Sequence, residues 1–165
     1  MQSQLDRAWE KLARALATGA GVGLVPVAPG TFGSLWGLLL AWRLQRLEWP
    51  PAIHVAVLVG ILALGVPVCG RAARSYGSRD PGKIVYDELA ALPLVFLALV
   101  FLAVPINFAT GLAGSLLFRL FDIAKPWPVR RLEQLRGGLG IMADDVAAAA
   151  YAAVALWLIV RLLPF

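Results

Sequence analysis

Cysteine and histidine each occur once in this chain of 165 residues, and acids are scarce, with ten Asp and Glu against fifteen Lys and Arg. A single cysteine, Cys69, has no partner for an internal disulfide and is expected to pack as a small hydrophobe. The lone His54 sits within an apolar run, where a core hydrogen bond is the expected role. Repeats, low-complexity tracts and flexible linkers are all missing, so one domain over residues 1–165 is expected. The basic residues flank apolar spans and form no patch with interleaved aromatics. That pattern excludes nucleic acid as a partner and points to anionic lipid.

What the chain has in quantity is grease. Its residues are 60% hydrophobic and 15% charged, and its mean hydropathy is +0.77, beyond the roughly 45–50% apolar content of soluble domains. An all-α integral membrane protein is the expected class. The start does not read as a secretory leader, because Asp6, Arg7, Glu10, Lys11 and Arg14 interrupt its apolar residues, and it is expected to be kept. Leu5, Trp9, Leu12 and Leu16 recur at helical spacing. They predict an amphipathic helix lying on the membrane or packed on the rest of the protein.

A crossing helix needs about 20 apolar residues, and the candidates are Phe32 to Leu47, Pro51 to Gly70, Leu89 to Phe118 and Val146 to Val160. The third is too long for one crossing and carries a break at Val104-Pro105-Ile106-Asn107. Five membrane helices are therefore expected. The segments Arg71 to Lys83 and Lys125 to Arg136 each carry four basic residues and one acid, which places both in the cytoplasm by the positive-inside rule. Arg43 and Arg46 strain this layout at the far end of the first crossing; they would have to snorkel, or that segment falls short of spanning. In this layout Ala28 to Ser34, Tyr86 to Glu88, Arg119 to Lys125 and Gly137 to Asp145 all meet at one membrane edge.

Five of the ten acids, Asp87, Glu88, Asp122, Asp144 and Asp145, border these apolar runs. Each would cost about 2.5–3.5 kcal/mol at a membrane helix centre, and less near the interface. Something must neutralise them. Arg119 and Lys125 offset two of the five charges, and hard oxygen ligands suit Mg²⁺. Two such ions would leave the cluster at about +1, attractive to a phosphate monoester, as in two-metal phosphoryl chemistry. Arg119, Asp122 and Lys125, three residues apart, share a helix face until Pro126 ends it. Asp87-Glu88 and Asp144-Asp145 precede apolar runs and are expected near helix N-termini, where negative charge is favoured. Ala28 to Ser34 reads as a Gly-rich turn entering a helix, with Thr31 the expected N-cap and backbone donors at Gly30 and Thr31 for a phosphate. Gly137-Gly138-Leu139-Gly140 is expected to be a flexible turn.

Other phosphatase chemistries fail on inventory. Ser75 stands where a Cys-x5-Arg loop from Cys69 needs arginine, a phosphohistidine mechanism needs a second histidine, and no Asp-x-Asp motif exists. Metal-activated water remains. The rival class is a small membrane transporter or structural subunit with an ion-binding acidic cluster, which should place its charges nearer the bilayer midplane.

The stretches APGTFGSLWG, IVYDELAALP, FRLFDIAKPWP and GGLGIMADDVAAA, in this order from about Leu24 to the last helix, resemble the phosphatidylglycerophosphatase A family. The resemblance implies Mg²⁺-dependent hydrolysis of phosphatidylglycerophosphate to phosphatidylglycerol at the bacterial cytoplasmic membrane. It implies that Asp87, Glu88, Asp122, Asp144 and Asp145 are the acidic catalytic and metal positions, with Thr31, Arg119 and Lys125 as polar partners. Ala91 and Ala149 depart from the glycines usual in that family, each by one methyl group.

Overall fold

The structure is a computed structural model that describes residues 2–79 and 81–162, with side chains from residue 4 onward. Asp80, the one acid of the Arg71 to Lys83 segment, lies outside the described residues. Among those residues every regular element is helical, as the composition requires. The α-helices are α1 (Gln2–Ala17), α2 (Pro29–Gln45), α3 (Pro51–Tyr76), α4 (Tyr86–Val95), α5 (Leu97–Phe101), α6 (Phe108–Ala124), α7 (Val129–Leu132) and α8 (Gly138–Leu162).

Proline and its neighbours set most boundaries. Pro29 and Pro51 open α2 and α3 at positions where a missing N–H costs nothing. Gly77 ends α3 in the left-handed conformation, its N–H bonded to the Ala73 carbonyl. Asn107 and Thr110 form a reciprocal capping box that starts α6. At the other end Lys125 turns left-handed just before Pro126.

Both expected breaks are present, at 46–50 and 102–107, and they meet in space. Gln45 donates to the Val104 carbonyl at 2.8 Å and accepts from the Ile106 N–H at 2.6 Å. His54 Nε2 donates to the Leu44 carbonyl at 3.0 Å, the core hydrogen bond expected of it. Buried Cys69 lies 3.9 Å from the Met142 sulfur.

The core is built around α4, which packs against α2, α3 and α8. Leu92, Phe96, Phe118 and Leu156 are fully buried there; truncating either phenylalanine to alanine would cost about 3–5 kcal/mol. Ala91 and Ala149 are fully buried in the same cluster, so the extra methyl groups are accommodated. α1 docks on α3 through buried Ala13 and Ala17 while Leu5, Trp9, Leu12 and Leu16 face outward. The helix is amphipathic as expected, and its buried face packs on the rest of the protein.

Two helices, α3 and α8, are long and apolar enough to cross a membrane, and 28% of each apolar window is buried, leaving most of it facing outward. α2 and α6, at 17 residues each, rise about 25 Å, short of a hydrocarbon core of about 30 Å. The α4–α5 stretch is interrupted after Pro93. Arg43 and Arg46 stack over Trp42 at the far end of α2.

Candidate functional site

Three helices carry the acidic residues to one place. Asp87 and Glu88 occupy the first turn of α4, and the N–H of Val85 just before it bonds the Ala17 carbonyl at 2.9 Å. Arg119 and Asp122 lie on the last turns of α6. Asp144 and Asp145 lie in the second turn of α8, because that helix already begins at Gly138. The helix N-terminal placement expected for the second acidic pair is thus corrected. So is the flexible glycine turn: Gly138 opens the helix against α3, where a Cβ would fall 1.9 Å from the Val66 carbonyl oxygen.

The five acids divide into two groups. One carboxylate oxygen from each of Asp87, Glu88 and Asp145 lies within 4.8 Å of the others. The remaining two are neutralised by cations. Arg119 Nη1 donates to Asp122 at 2.8 Å and to Glu88 at 3.4 Å. Lys125 Nζ donates to Asp144 at 2.9 Å and pairs with Glu133 at 3.1 Å. The left-handed backbone at Lys125 ends α6, leaving its side chain to meet both α8 and the α7–α8 linker. Burial, the largest influence, pulls the Lys125 ammonium toward neutrality, but the hydrogen bonds and charges of Asp144 and Glu133 outweigh it and raise its pKa. Lys125 stays cationic.

Asp87, Asp144 and Asp145 are buried, Asp145 to 4% exposure. Glu88 Oε2 and Asp145 Oδ2 are buried with no hydrogen-bond partner. A buried anionic oxygen left in that state is costly. Three converging carboxylates with two orphaned oxygens are a donor set suited to a hard divalent cation. A cavity of about 260 Å³, lined by Arg79, Glu133, Gly140 and Asp144 among others, opens on the side of Asp144 and Glu133.

α2 enters the same place through Gly30. A Cβ there would lie 2.1 Å from Glu88 Oε1 and 3.1 Å from Arg119 Nη1, so glycine lets the helix start rest against this ion pair without displacing either side chain. The N-cap is Ala28, in the left-handed region and without a side-chain cap; the expectation that Thr31 caps the helix is corrected. Thr31 is exposed in the first turn, its N–H bonded to the Ala28 carbonyl at 3.0 Å. Glu133 and Ser34, which bonds the Gly30 carbonyl at 3.0 Å, were not singled out by sequence. The only cue to Glu133 was its isolation as the one acid in a basic segment.

The family model described as phosphatidylglycerophosphatase A matches residues 15–160. Phosphatidylglycerophosphatase A of Escherichia coli (strain K12) is 37% identical over 146 residues, covering 87% of this chain and 81% of that protein. The Haemophilus influenzae protein of the same name is 39% identical over 145 residues, covering 87% and 86%. A Bacteroides thetaiotaomicron protein named "Putative phosphatidylinositol-3-phosphatase" is 37% identical over 159 residues, covering 87% and 93%. No solved structure matches.

Proposed function

The chain belongs to the phosphatidylglycerophosphatase A family, and from that premise we propose that it hydrolyses phosphatidylglycerophosphate to phosphatidylglycerol and phosphate. The observation that carries the reading beyond the family name is the trio of carboxylates within 4.8 Å, flanked by Arg119 and Lys125. Such a site suits a phosphate monoester and a hard cation, and nothing bulkier than a headgroup needs to enter it.

Asp87, Glu88 and Asp145 would hold Mg²⁺, and Asp122 and Asp144 would complete the set of five with a second ion. Bound there, Mg²⁺ supplies charge stabilisation at the phosphoryl oxygens and a water of lowered pKa. The chain's own groups do the rest. Arg119 presents a fixed fork of donors to the phosphate while Lys125 adds a point charge. The first turn of α2 adds the Gly30 N–H, the exposed Thr31 side chain and a helix N-terminus. A carboxylate of the cluster accepts a proton from the attacking water; the water oxygen bonds phosphorus as the ester P–O bond breaks, and the carboxyl returns that proton to the leaving oxygen, giving the lipid alcohol and phosphate.

The same reading puts the protein in the bacterial cytoplasmic membrane with five crossings in one domain. Its site would open to the cytoplasm, supported by the basic segments Arg71 to Lys83 and Lys125 to Arg136. Cysteine labelling from each side of oriented vesicles checks this; opposite-sided labelling of the two segments would break the single-site arrangement.

The direct test is phosphate release by purified protein from phosphatidylglycerophosphate in detergent micelles, with and without Mg²⁺. Release that needs Mg²⁺ is expected. No release in its presence would return the chain to the transporter or structural-subunit class. Release from phosphatidylinositol 3-phosphate alone would reassign the headgroup to that of the Bacteroides relative.

A further inference from the structure

The acidic site explains how a phosphate is held and leaves open where the rest of a lipid goes. α2 fits tightly to α4 on one side, but on the other it leaves a groove against α6 of about 750 Å³, within the roughly 300–1,000 Å³ typical of ligand pockets. Leu35, Leu38 and Trp42 form one wall, and Phe108, Leu112 and Ser115 the other. Phe108 is 86% exposed at its rim, so the groove is open sideways.

Resting on the phosphatase reading above, we infer that this groove seats an acyl chain of the phospholipid substrate. The Ser115 hydroxyl donates to an ester carbonyl of the same lipid, which reaches the carboxylates laterally from the bilayer. Three observations carry this. The walls end at the site, because Ser115 is one helical turn before Arg119, and Leu35 follows Gly30, which abuts Arg119 and Glu88. The lining helix advances about 16 Å from Leu35 to Arg46, close to the depth of one leaflet, half of a hydrocarbon core of about 30 Å. Ser115 Oγ is buried with no hydrogen-bond partner, although a helical serine ordinarily bonds the carbonyl one turn back. A lipid ester carbonyl only accepts, and Ser115 is a spare donor at the junction between headgroup site and apolar groove.

The experiment uses phosphatidylglycerophosphate with a photoactivatable diazirine midway along one palmitoyl-length chain, in dodecyl maltoside micelles with Mg²⁺. Irradiated protein is digested and its adducts are mapped by mass spectrometry. Adducts concentrated on residues 35–46 and 105–115 are expected, and their loss in Leu112→Trp, which fills the groove from its rim. Ser115→Ala should raise the KM for the long-chain lipid roughly three- to tenfold, the loss of one hydrogen bond, without lowering kcat or the unfolding temperature. A Ser115→Ala enzyme with unchanged KM would remove the hydroxyl's assigned role.

Adducts spread evenly over the outward faces of α3 and α8 would overturn the groove while phosphate release still upheld the phosphatase reading. A groove shielded from the probe by a second copy, with crosslinked dimers, would overturn it in the same way. Labelling confined to the groove in a protein that releases no phosphate would uphold the lipid seat and sink the phosphatase reading alone.

Discussion

The two faces of α2 are both apolar, yet they do opposite things. Toward α4, Gly30, Gly33, Ser34 and Gly37 let backbones approach; a Cβ on Gly37 would lie 2.9 Å from that of Leu92. Toward α6, Leu35, Leu38 and Trp42 hold the helices apart and leave a groove. Polarity cannot distinguish faces on a helix greasy all round, so residue size does. Small residues pin the helix where carboxylates must be fixed to fractions of an ångström. Large ones leave room where a flexible chain must slide. The close contact carries the chemistry, and the loose one leaves a way in.

The comparison is sharpened first at the fixed side. Asp145→Asn removes an anionic oxygen from the trio, and Mg²⁺-dependent phosphate release should fall on the order of a hundredfold or more. Its unfolding temperature without Mg²⁺ should hold or rise, since crowded like charge is relieved. Added Mg²⁺, which should stabilise wild type by mass action, should then stabilise the variant less. An Asp145→Asn protein that lost activity only by unfolding would make the trio structural.

Gly30→Ala comes next. Its methyl group must displace the Glu88–Arg119 pair, for about 1–3 kcal/mol of stability and a loss of turnover larger than that stability alone explains. Thermal unfolding and phosphate release on the same sample separate the two. Arg119→Lys keeps the charge but loses the fork, and its KM for the lipid should rise about tenfold, or roughly 1.4 kcal/mol. Normal kinetics would mean that Arg119 only balances Asp122 and Glu88. Least of all, Leu39→Ala on the outward face should change stability by about 0.5 kcal/mol or less. If it proved as damaging as Gly30→Ala, the contrast between the two faces would collapse.

The helix breaks were legible in sequence because their causes are local. Pro50, Pro51 and Pro105 forbid helix continuation, and the chain turns left-handed at Glu48 and Ala103 beside them. Convergence of the acids was legible too, because an apolar chain can tolerate charge only at its edges. Their division was not. Which carboxylate faces Arg119, which faces Lys125 and which three face one another depends on the neighbours each helix acquires, and one sequence holds no pairwise record of that. Thr31 looked like a cap because threonine commonly is one, but Ala28 leaves the helical region first. Asp144 and Asp145 looked like helix starts because the apolar run begins after them; Gly138, packed on the Val66 carbonyl, begins the helix earlier.

One backbone hydrogen bond, from the Val85 N–H to the Ala17 carbonyl, couples the end of α1 to the start of α4. α1 is the amphipathic helix whose leucines and tryptophan face outward, and α4 opens with Asp87 and Glu88. On the membrane reading proposed above, α1 rests at the lipid surface, and this bond sets the two carboxylates a fixed step from it. The height of the site is then referred to the waterline as well as to the centre of the bilayer.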